Sequence, residues 1–265
     1  MAVELTALDA TRISTVLADL GCVSCEAHVF ESLPSTNAWL LAQPLNSLPQ
    51  LCAVEVQTQG RGRRDKTWLS PERGVTFSIA RRFNTGAAQL GGLSLVVGCA
   101  IADVLHEFGL RDVQLKWPND VLIGGAKLCG ILIESTTVGP DCIDTITGIG
   151  INYSSAPTGA DVDRPATDLS RCLDHVPGRN ELIARVAAGV LRYFADFEAS
   201  GFVCARSNWE SLDAFRGQEV SVHYGKNQTA QGIAHGVDDS GALQILTRDG
   251  VQVFHSGDVS LRPRT

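Results

Sequence analysis

The residues best suited to chemistry in this 265-residue chain are four basic side chains in one short loop. Arg61, Arg63, Arg64 and Lys66 lie within QTQGRGRRDK, and a glycine stands on each side of Arg61. Guanidinium groups donate paired hydrogen bonds to phosphate or carboxylate oxygens, and glycine allows a backbone N–H to approach an anion closely. The G-x-x-x-x-G-K-[ST] pattern of a P-loop is absent. From the residues alone, an anion site and a solvated basic turn both remain open.

A second stretch, VQLKWPNDVLIGGAKLCGILIE at 113–134, predicts a hairpin that carries a carboxylate and an amine. A Gly-Gly pair between two apolar runs is typical of a two-residue turn, which would set Asp120 opposite Cys129. Asp120 and Lys127 are then diagonal neighbours roughly 7–8 Å apart, too far for a tight salt bridge but suited to flank a reacting group. The alternative is an ordinary surface hairpin with exposed lysines.

The stretch TGIGIN at 147–152 places two glycines in a predicted strand. Glycine in a strand interior indicates close approach by another backbone or by a ligand. The G-x-G pattern lacks the strand–turn–helix setting of a dinucleotide-binding fingerprint.

The spacing C-x-x-C-x-x-H, formed by Cys22, Cys25 and His28, admits a zinc site. Structural zinc sites use four ligands, and no second C-x-x-C occurs in the sequence. The alternation of residues 25, 27 and 29 favours a plain strand instead.

The elements that must position these residues follow from hydrophobic periodicity. Apolar side chains recur at helical spacing over 10–21 and 179–200, and 88–109 reads as one long apolar helix. Ser35 or Thr36 is placed to cap a further helix. Strands are predicted at 25–31, CAVEVQ, GVTFSIARRF, VQLKW, VLI, KLCGILIE and ITGIGIN. After about residue 215, short strands between Gly, Asn and Asp turns predict a small all-β barrel, so we expect domains at 1–214 and 215–265.

Composition limits the classes of function. The chain is 44% hydrophobic and 19% charged, which is typical of a globular protein, and its net charge of −7 argues against a general polyanion binder. The N-terminus resembles no secretory signal, and the longest apolar run is interrupted by Asp103, so we expect a cytoplasmic protein with no membrane span. Eight cysteines without an export signal predict free thiols.

Five motifs together resemble the biotin protein ligases in order and spacing. They are PSTN at 34–37, QTQGRGRR at 57–64, KWPND at 116–120, KLCGILIE at 127–134 and GIGIN at 148–152. The resemblance covers roughly residues 28–262. It implies an α+β fold with a mixed β-sheet catalytic domain of the class II synthetase-like type, followed by an SH3-like C-terminal barrel. It also implies a two-step reaction: biotin and ATP form biotinyl-5′-AMP with Mg²⁺ present, and the acyl group passes to a lysine of a biotin carboxyl carrier protein.

The same resemblance assigns roles to residues of this chain. Catalytic roles fall on Arg61, Lys127 and Asp120. The biotin-binding positions match Ser35, Thr36, Asn37, Gln57, Gly60, Arg61, Lys127, Gly130 and Gly148. The ATP and adenylate positions match Arg61, Arg63, Arg64, Trp68, Asn119, Lys127 and Asn152. Asn119 and Asp120 are expected either to hold Mg²⁺ or to guide the incoming lysine. The arginine loop is expected to act as a lid that closes over the anionic substrate and adenylate.

The sequence departs from the family pattern in three respects. Asp65 stands where glycine is common, Lys66 follows it, and Cys129 replaces a small alanine. About thirty residues precede PSTN, too few for a winged helix-turn-helix, so no DNA binding is expected. A lipoate or octanoate ligase and a non-catalytic biotin-sensing regulator remain the alternatives. Monomer and homodimer are both compatible with the sequence.

Overall fold

Two β-sheets organise the chain in this computed structural model, one of seven strands and one of five. The structure describes residues 6–45, 48–64, 66–68, 74–158, 165–225, 228–255 and 259–263. Asp65 lies outside the described residues.

The larger sheet is mixed, as predicted. Its strands are β1 (Glu26–Leu33), β2 (Gln50–Gln57), β3 (Val75–Phe83), β4 (Val113–Lys116), β5 (Asp120–Ile123), β6 (Ala126–Gly139) and β7 (Cys142–Ile151). They lie in the order β1-β2-β3-β7-β6-β5-β4. The pair β1–β2 is parallel, and the other pairs are antiparallel. This order sets β3, β7 and β6 side by side, so that residues far apart in sequence share one face.

Helices cover both faces of this sheet, with the main core on one face and α2 packed against Cys52, Ala80 and Ile146 on the other. They are α1 (Ala10–Asp19), α2 (Thr36–Leu41), α3 (Leu93–Glu107), α4 (Leu169–Cys172), α5 (Arg179–Ser200) and α6 (Val203–Leu212). Eleven of the fifteen residues of α3 are buried, and α5 contributes a long apolar stripe that includes Val186, Val190 and Phe194. The sequence did not predict α4 and α6, because neither carries a sustained apolar period.

The single helix predicted over 88–109 is divided in two. A short 3-10 helix covers Ala87–Leu90, and α3 begins at Leu93. Gly92 between them has φ +76°, and a Cβ there would stand 2.6 Å from Cγ of Phe202. The left-handed backbone and the packed ring both require glycine at this position, which periodicity does not report.

The smaller sheet follows residue 215 and is antiparallel throughout. Its strands are β8 (Glu219–Tyr224), β9 (Gln228–Val237), β10 (Leu243–Thr247), β11 (Gly250–Phe254) and β12 (Val259–Pro263), in the order β11-β10-β9-β8-β12. Its architecture is consistent with the expected SH3-like barrel. Trp117 joins the two sheets, because its indole Nε1 donates to the carbonyl of Gly241 at 3.1 Å.

Four of the eight cysteines are buried, and one, Cys204, is exposed. All eight cysteines are free thiols. Burial raises the pKa of Cys25, within C-x-x-C-x-x-H, to about 12. Within the described ranges, no group of three or more His, Cys, Asp or Glu side chains is placed to hold a metal ion.

One segment, Ala87–Glu107, is long and apolar enough to cross a bilayer, but most of it is buried inside the fold.

Candidate active site

A cavity of about 200 Å³ opens at the end of the mixed sheet where the predicted motifs converge. Of the residues assigned by resemblance, it is lined by Ser35, Thr36, Asn37, Gln57, Arg61, Arg63, Arg64, Trp68, Asn119, Asp120, Lys127, Gly130 and Gly148. Gly60 and Asn152 do not line it. The motifs therefore meet in one place although about 110 residues separate the first from the last.

One corner of the cavity is polar and almost sealed from solvent. Ser35 caps α2, since its hydroxyl accepts from the backbone N–H of Ala38 at 3.4 Å. The backbone N–H of Thr36 donates to Oε1 of Gln57 at 2.9 Å. Because Oε1 of Gln57 faces Thr36, the amide nitrogen of Gln57 points away from Thr36. Hydroxyl and amide groups of this kind form a site for a ligand head that both donates and accepts hydrogen bonds.

A chain of hydrogen bonds runs from this corner to the arginine loop. The Thr36 hydroxyl lies 2.6 Å from that of Ser78, which donates to Oδ1 of Asn37 at 2.6 Å. Nδ2 of Asn37 donates to Oε2 of Glu134 at 2.7 Å, and the guanidinium of Arg61 contacts the same oxygen at 3.1 Å. The polar corner and the loop are therefore one connected network.

The floor of the cavity is made of glycines on two neighbouring strands. Gly130 on β6 pairs with Gly150 on β7. The Trp68 ring lies over both, so close that a Cβ on Gly150 would overlap the ring. A Cβ on Gly148 would stand 2.5 Å from Oδ1 of Asn37. The space that side chains would take at these positions is filled by the Trp68 ring and the Asn37 amide, so the glycines let these groups approach the backbone closely.

Lys127 and Asp120 form a tight ion pair, and the predicted separation of these residues is wrong. Nζ of Lys127 lies 2.6 Å from Oδ1 of Asp120, whose side chain is 8% exposed. The register shifts between Val121 and Leu122, so Asp120 faces Gly130 instead of Cys129. This β-bulge adds one residue to β6. The absence of a side chain on Gly130 leaves room for the lysine, whose Nζ would be 3.0 Å from a Cβ there.

The backbone beneath Lys127 is held by residues that do not touch the cavity. The N–H of Lys127 donates to Pro165, and its carbonyl accepts from Thr167 at 3.0 Å. Asn152 donates its Nδ2 to the carbonyls of Lys127 and Thr167, at 3.2 and 3.0 Å. In this structure Asn152 positions the lysine strand. Its predicted role near the nucleotide stays a prediction.

The arginine loop is folded back on itself. Arg61 bridges to Thr67, and the N–H of Trp68 donates to the carbonyl of Gly60 at 2.9 Å. A Cβ on Gly60 would overlap the carbonyl oxygen of Trp68, so this glycine serves the turn. Nη1 of Arg63 reaches Oδ1 of Asn119 at 3.4 Å, across the cavity from the loop.

The cavity is strongly cationic although the chain is acidic. Among the residues that the structure describes, seven cationic side chains and one carboxylate, Asp120, line it. The cations are Arg61, Arg63, Arg64, Lys66, Lys116, Lys127 and Arg262. Lys116, on β4, is 6% exposed and lies opposite Asp120 on β5. A concave wall of one sign concentrates an oppositely charged ligand. The arrangement can hold a polyanion against the polar corner.

Several residues of the site were not singled out from the sequence. Ser78 and Glu134 complete the hydrogen-bond network, although Glu134 lies within the quoted KLCGILIE motif. Leu261 and Arg262 reach the cavity from β12 of the smaller sheet. Cys129 is buried, and burial raises the pKa of its thiol, so it takes the place of a small apolar residue.

The fold and the site define a ligase of the biotin/lipoate class. The model of the Biotin/lipoate A/B protein ligase family matches residues 29–152, and that of the Biotin protein ligase C terminal domain matches residues 215–262.

Similarity to named proteins places the chain in one family within this class. The Bifunctional ligase/repressor BirA of Salmonella typhimurium is 35% identical over 96% of this chain and 78% of its own length. The biotin–[acetyl-CoA-carboxylase] ligase of Paracoccus denitrificans is 32% identical, over 85% of this chain and 90% of its own. The structure of the biotin protein ligase from Aquifex aeolicus in complex with biotin and ATP has a TM-score of 0.77 at 28% identity, covering 90% of this chain and 99% of that one. The chain belongs to the biotin protein ligases.

Proposed function

We propose that this chain activates biotin as biotinyl-5′-AMP at the expense of ATP and transfers the biotinyl group to a lysine of a biotin carboxyl carrier protein. The observation that carries the proposal is the shared cavity, in which a polar corner, a lysine–aspartate pair and an arginine loop face one another. Similarity to a biotin ligase solved with biotin and ATP supports the same assignment.

In the first step, an oxygen of the biotin carboxylate attacks the α-phosphorus of ATP, and the bond to pyrophosphate breaks. Negative charge moves onto the phosphoryl oxygens and the leaving group. Lys127 supplies a cation whose direction is fixed by Asp120, 2.6 Å away. Arg61, Arg63 and Arg64 supply further donors from the loop. Charges fixed before the reaction stabilise the transition state without reorganisation at the moment of attack.

In the second step, the amine of the carrier lysine attacks the acyl carbon of biotinyl-5′-AMP. A C–N bond forms, the bond from the acyl carbon to the phosphate oxygen breaks, AMP leaves, and the nitrogen loses a proton. The loop that retains the adenylate also excludes water, which would hydrolyse it.

Magnesium fits the oxygen ligands at one side of the cavity. Mg²⁺ is commonly held by one or two protein oxygens together with substrate phosphates and water. Asn119 and Asp120 would provide those oxygens, and the ion would offset triphosphate charge. Asn119 is directed by two contacts: Nδ2 donates to the carbonyl of Ile131 at 2.7 Å, and Oδ1 accepts from Arg63. The alternative role for Asp120, guiding the carrier lysine, stays open to test by Mg²⁺ titration of the Asp120→Asn variant.

The polar corner favours biotin over lipoate or octanoate. Ser35 and Thr36 are 5% and 2% exposed, so an apolar acyl tail in this corner would leave the positions that their hydroxyls keep for a ligand without partners. Sites built around buried polar groups reject ligands that lack them. A ureido ring supplies both N–H donors and a carbonyl acceptor.

Location, partner and assembly are part of the same proposal. The reaction requires ATP and a carrier domain, so we place the protein in the cytoplasm beside an acetyl-CoA carboxylase. The rival assignment, a regulator that senses biotin without catalysis, predicts DNA binding at low salt. Gel-shift and sedimentation measurements at low ionic strength test DNA binding and oligomeric state together.

Isotope exchange between pyrophosphate and ATP tests the first half-reaction directly. We expect exchange with biotin and Mg²⁺, and none with lipoate, octanoate or no acid. Exchange that depends on lipoate or octanoate would keep the chemistry and overturn the substrate. A folded protein with no exchange for any acid would overturn the enzyme assignment.

A further inference from the structure

We infer that Ser78, buried behind the polar corner, is a positioning residue that fixes the Thr36 hydroxyl as a hydrogen-bond acceptor and thereby selects a substrate with an N–H at that point. This inference rests on the proposed function of the cavity. Ser78 lies on β3, is 0% exposed, and is not among the residues that line the cavity. It acts on the ligand only through its neighbour.

The orientation of the Asn37 amide is the first step. Its Nδ2 lies 2.7 Å from the carboxylate of Glu134 and 3.4 Å from the carbonyl oxygen of Leu132. Arg61 donates to the same Glu134 oxygen, so that oxygen acts as an acceptor. Because two acceptors lie at that end of the Asn37 amide, the NH₂ group must be there. The amide oxygen of Asn37 therefore faces Ser78.

The direction of the hydroxyl protons follows. An amide oxygen has no proton to donate, so the 2.6 Å contact between Ser78 and Asn37 uses the proton of Ser78. The contact of Ser78 with Thr36, also 2.6 Å, still needs a donor, and only Thr36 has a proton left for it. The Thr36 hydroxyl then has no proton for its longer contact, at 3.3 Å, with Oε1 of Gln57. That Oε1 accepts a hydrogen bond from the Thr36 backbone N–H instead.

Thr36 consequently offers a ligand only lone pairs, while Ser35 offers the opposite. The Ser35 hydroxyl accepts from the N–H of Ala38, which leaves its proton for a ligand acceptor. One acceptor beside one donor matches a cyclic urea, which presents an N–H beside a carbonyl. A ring oxygen in place of that N–H would face the lone pairs of Thr36 in a buried corner. Such a mismatch is costly because no water reaches it.

The test compares biotin with its two cyclic-carbamate analogues, in which one or the other ureido N–H is replaced by oxygen. The wild-type protein should prefer biotin over the disfavoured analogue by about 100-fold in kcat/KM for pyrophosphate exchange. Ser78→Ala frees the Thr36 proton to turn toward the ligand, so this preference should fall to about tenfold. The KM for biotin should rise about tenfold while kcat changes less than about twofold.

Thr147→Val is the matched control. Thr147 lies on the adjacent strand β7, is 0% exposed, and its hydroxyl has no hydrogen-bond partner among the described residues. Ser78 pairs with Gly148 and Ile79 pairs with Thr147, so the Thr147 side chain lies on the opposite face of the sheet. Thr147→Val removes a buried hydroxyl from the neighbouring strand without touching the network, so its analogue preference should equal that of the wild type. If Ser78→Ala does not fold, Ser78→Cys preserves the side-chain volume with a weaker donor and should give an intermediate preference.

The outcomes separate this inference from the proposed function. A wild-type protein without biotin-dependent exchange would remove the proposed function. Normal exchange in the wild type, with an unchanged preference in a folded Ser78→Ala or Ser78→Cys variant, would remove the role of Ser78 alone. An equal loss of preference in Thr147→Val would show a general packing effect and would also overturn the inference.

Discussion

Replacing Lys127 by methionine should separate the catalytic role of this lysine from its part in stability. Its Nζ lies 2.6 Å from Oδ1 of Asp120, and the two side chains are 25% and 8% exposed. Methionine matches the unbranched lysine side chain as far as Cε and removes the charged Nζ. Loss of one preorganised donor at the site of developing charge should lower the exchange rate by about 100- to 1,000-fold.

The same substitution removes the ion-pair partner of a buried carboxylate, which also lies opposite Lys116 on β4. Breaking a buried ion pair from one side costs about 3–5 kcal/mol, and the partly exposed lysine argues for about 3 kcal/mol. Adding Asp120→Asn removes the buried charge that Lys127 balanced, so the double variant should recover most of this stability. It should not recover exchange, because the cation is still missing.

Two measurements separate catalysis from stability: thermal unfolding and biotin-dependent pyrophosphate exchange. Both are made on the two single variants and on the double variant. Recovery of the melting temperature without recovery of exchange is the expected pattern. Exchange within tenfold of wild type in a folded Lys127→Met protein would remove Lys127 from the chemistry. Recovery of exchange in the double variant would mean that the lysine serves only to neutralise Asp120.

Three further perturbations test other parts of the site. Gly130→Ala puts a Cβ 2.9 Å from Cζ3 of Trp68 and should raise the KM for biotin about tenfold, whereas Gly139→Ala on the same strand, with its nearest contact at 3.8 Å, should not. Arg63→Gly removes the contact across the cavity and should release adenylate that labels bystander lysines; labelling confined to the carrier would refute the lid assignment. Burial raises the pKa of Asp213 from 3.8 to about 6, so folding binds a proton and stability should fall as pH rises from about 4 to 6. Asp213→Asn should therefore raise the melting temperature at pH 7.5 and change it little at pH 4, and equal shifts at both pH values would contradict this reasoning.

Local patterns predicted most elements of the fold, since apolar periodicity and turn residues act over a few positions. The strands of the mixed sheet and the helices at 10–21 and 179–200 were recovered in this way. The pattern failed where a single tertiary contact decides. Gly92 interrupts the apolar run because the Phe202 ring occupies the space of its Cβ, and residue 202 lies far along the chain.

The site was predicted as a set of motifs, whereas the connections between motifs were not. Ser78 and Glu134 stand 41 and 97 residues from Asn37, and only the strand order brings them together. The sequence did indicate Gly150, because Gly148 and Gly150 are two positions apart in a strand and therefore lie on the same face of β7. No local signal marked Ser78, which is an ordinary polar residue within an apolar strand.

Asp120 and Lys127 form their ion pair across a β-bulge on β6. Regular pairing after a two-residue turn would keep Asp120 and Lys127 about 7–8 Å apart, as diagonal neighbours. The extra residue moves Asp120 opposite Gly130, and the lysine side chain can then cross the vacant glycine position to the carboxylate. The backbone of Lys127 is at the same time fixed by Thr167 and Asn152 on its other side. The backbone therefore sets the origin of the cation, and the Asp120 side chain sets its direction.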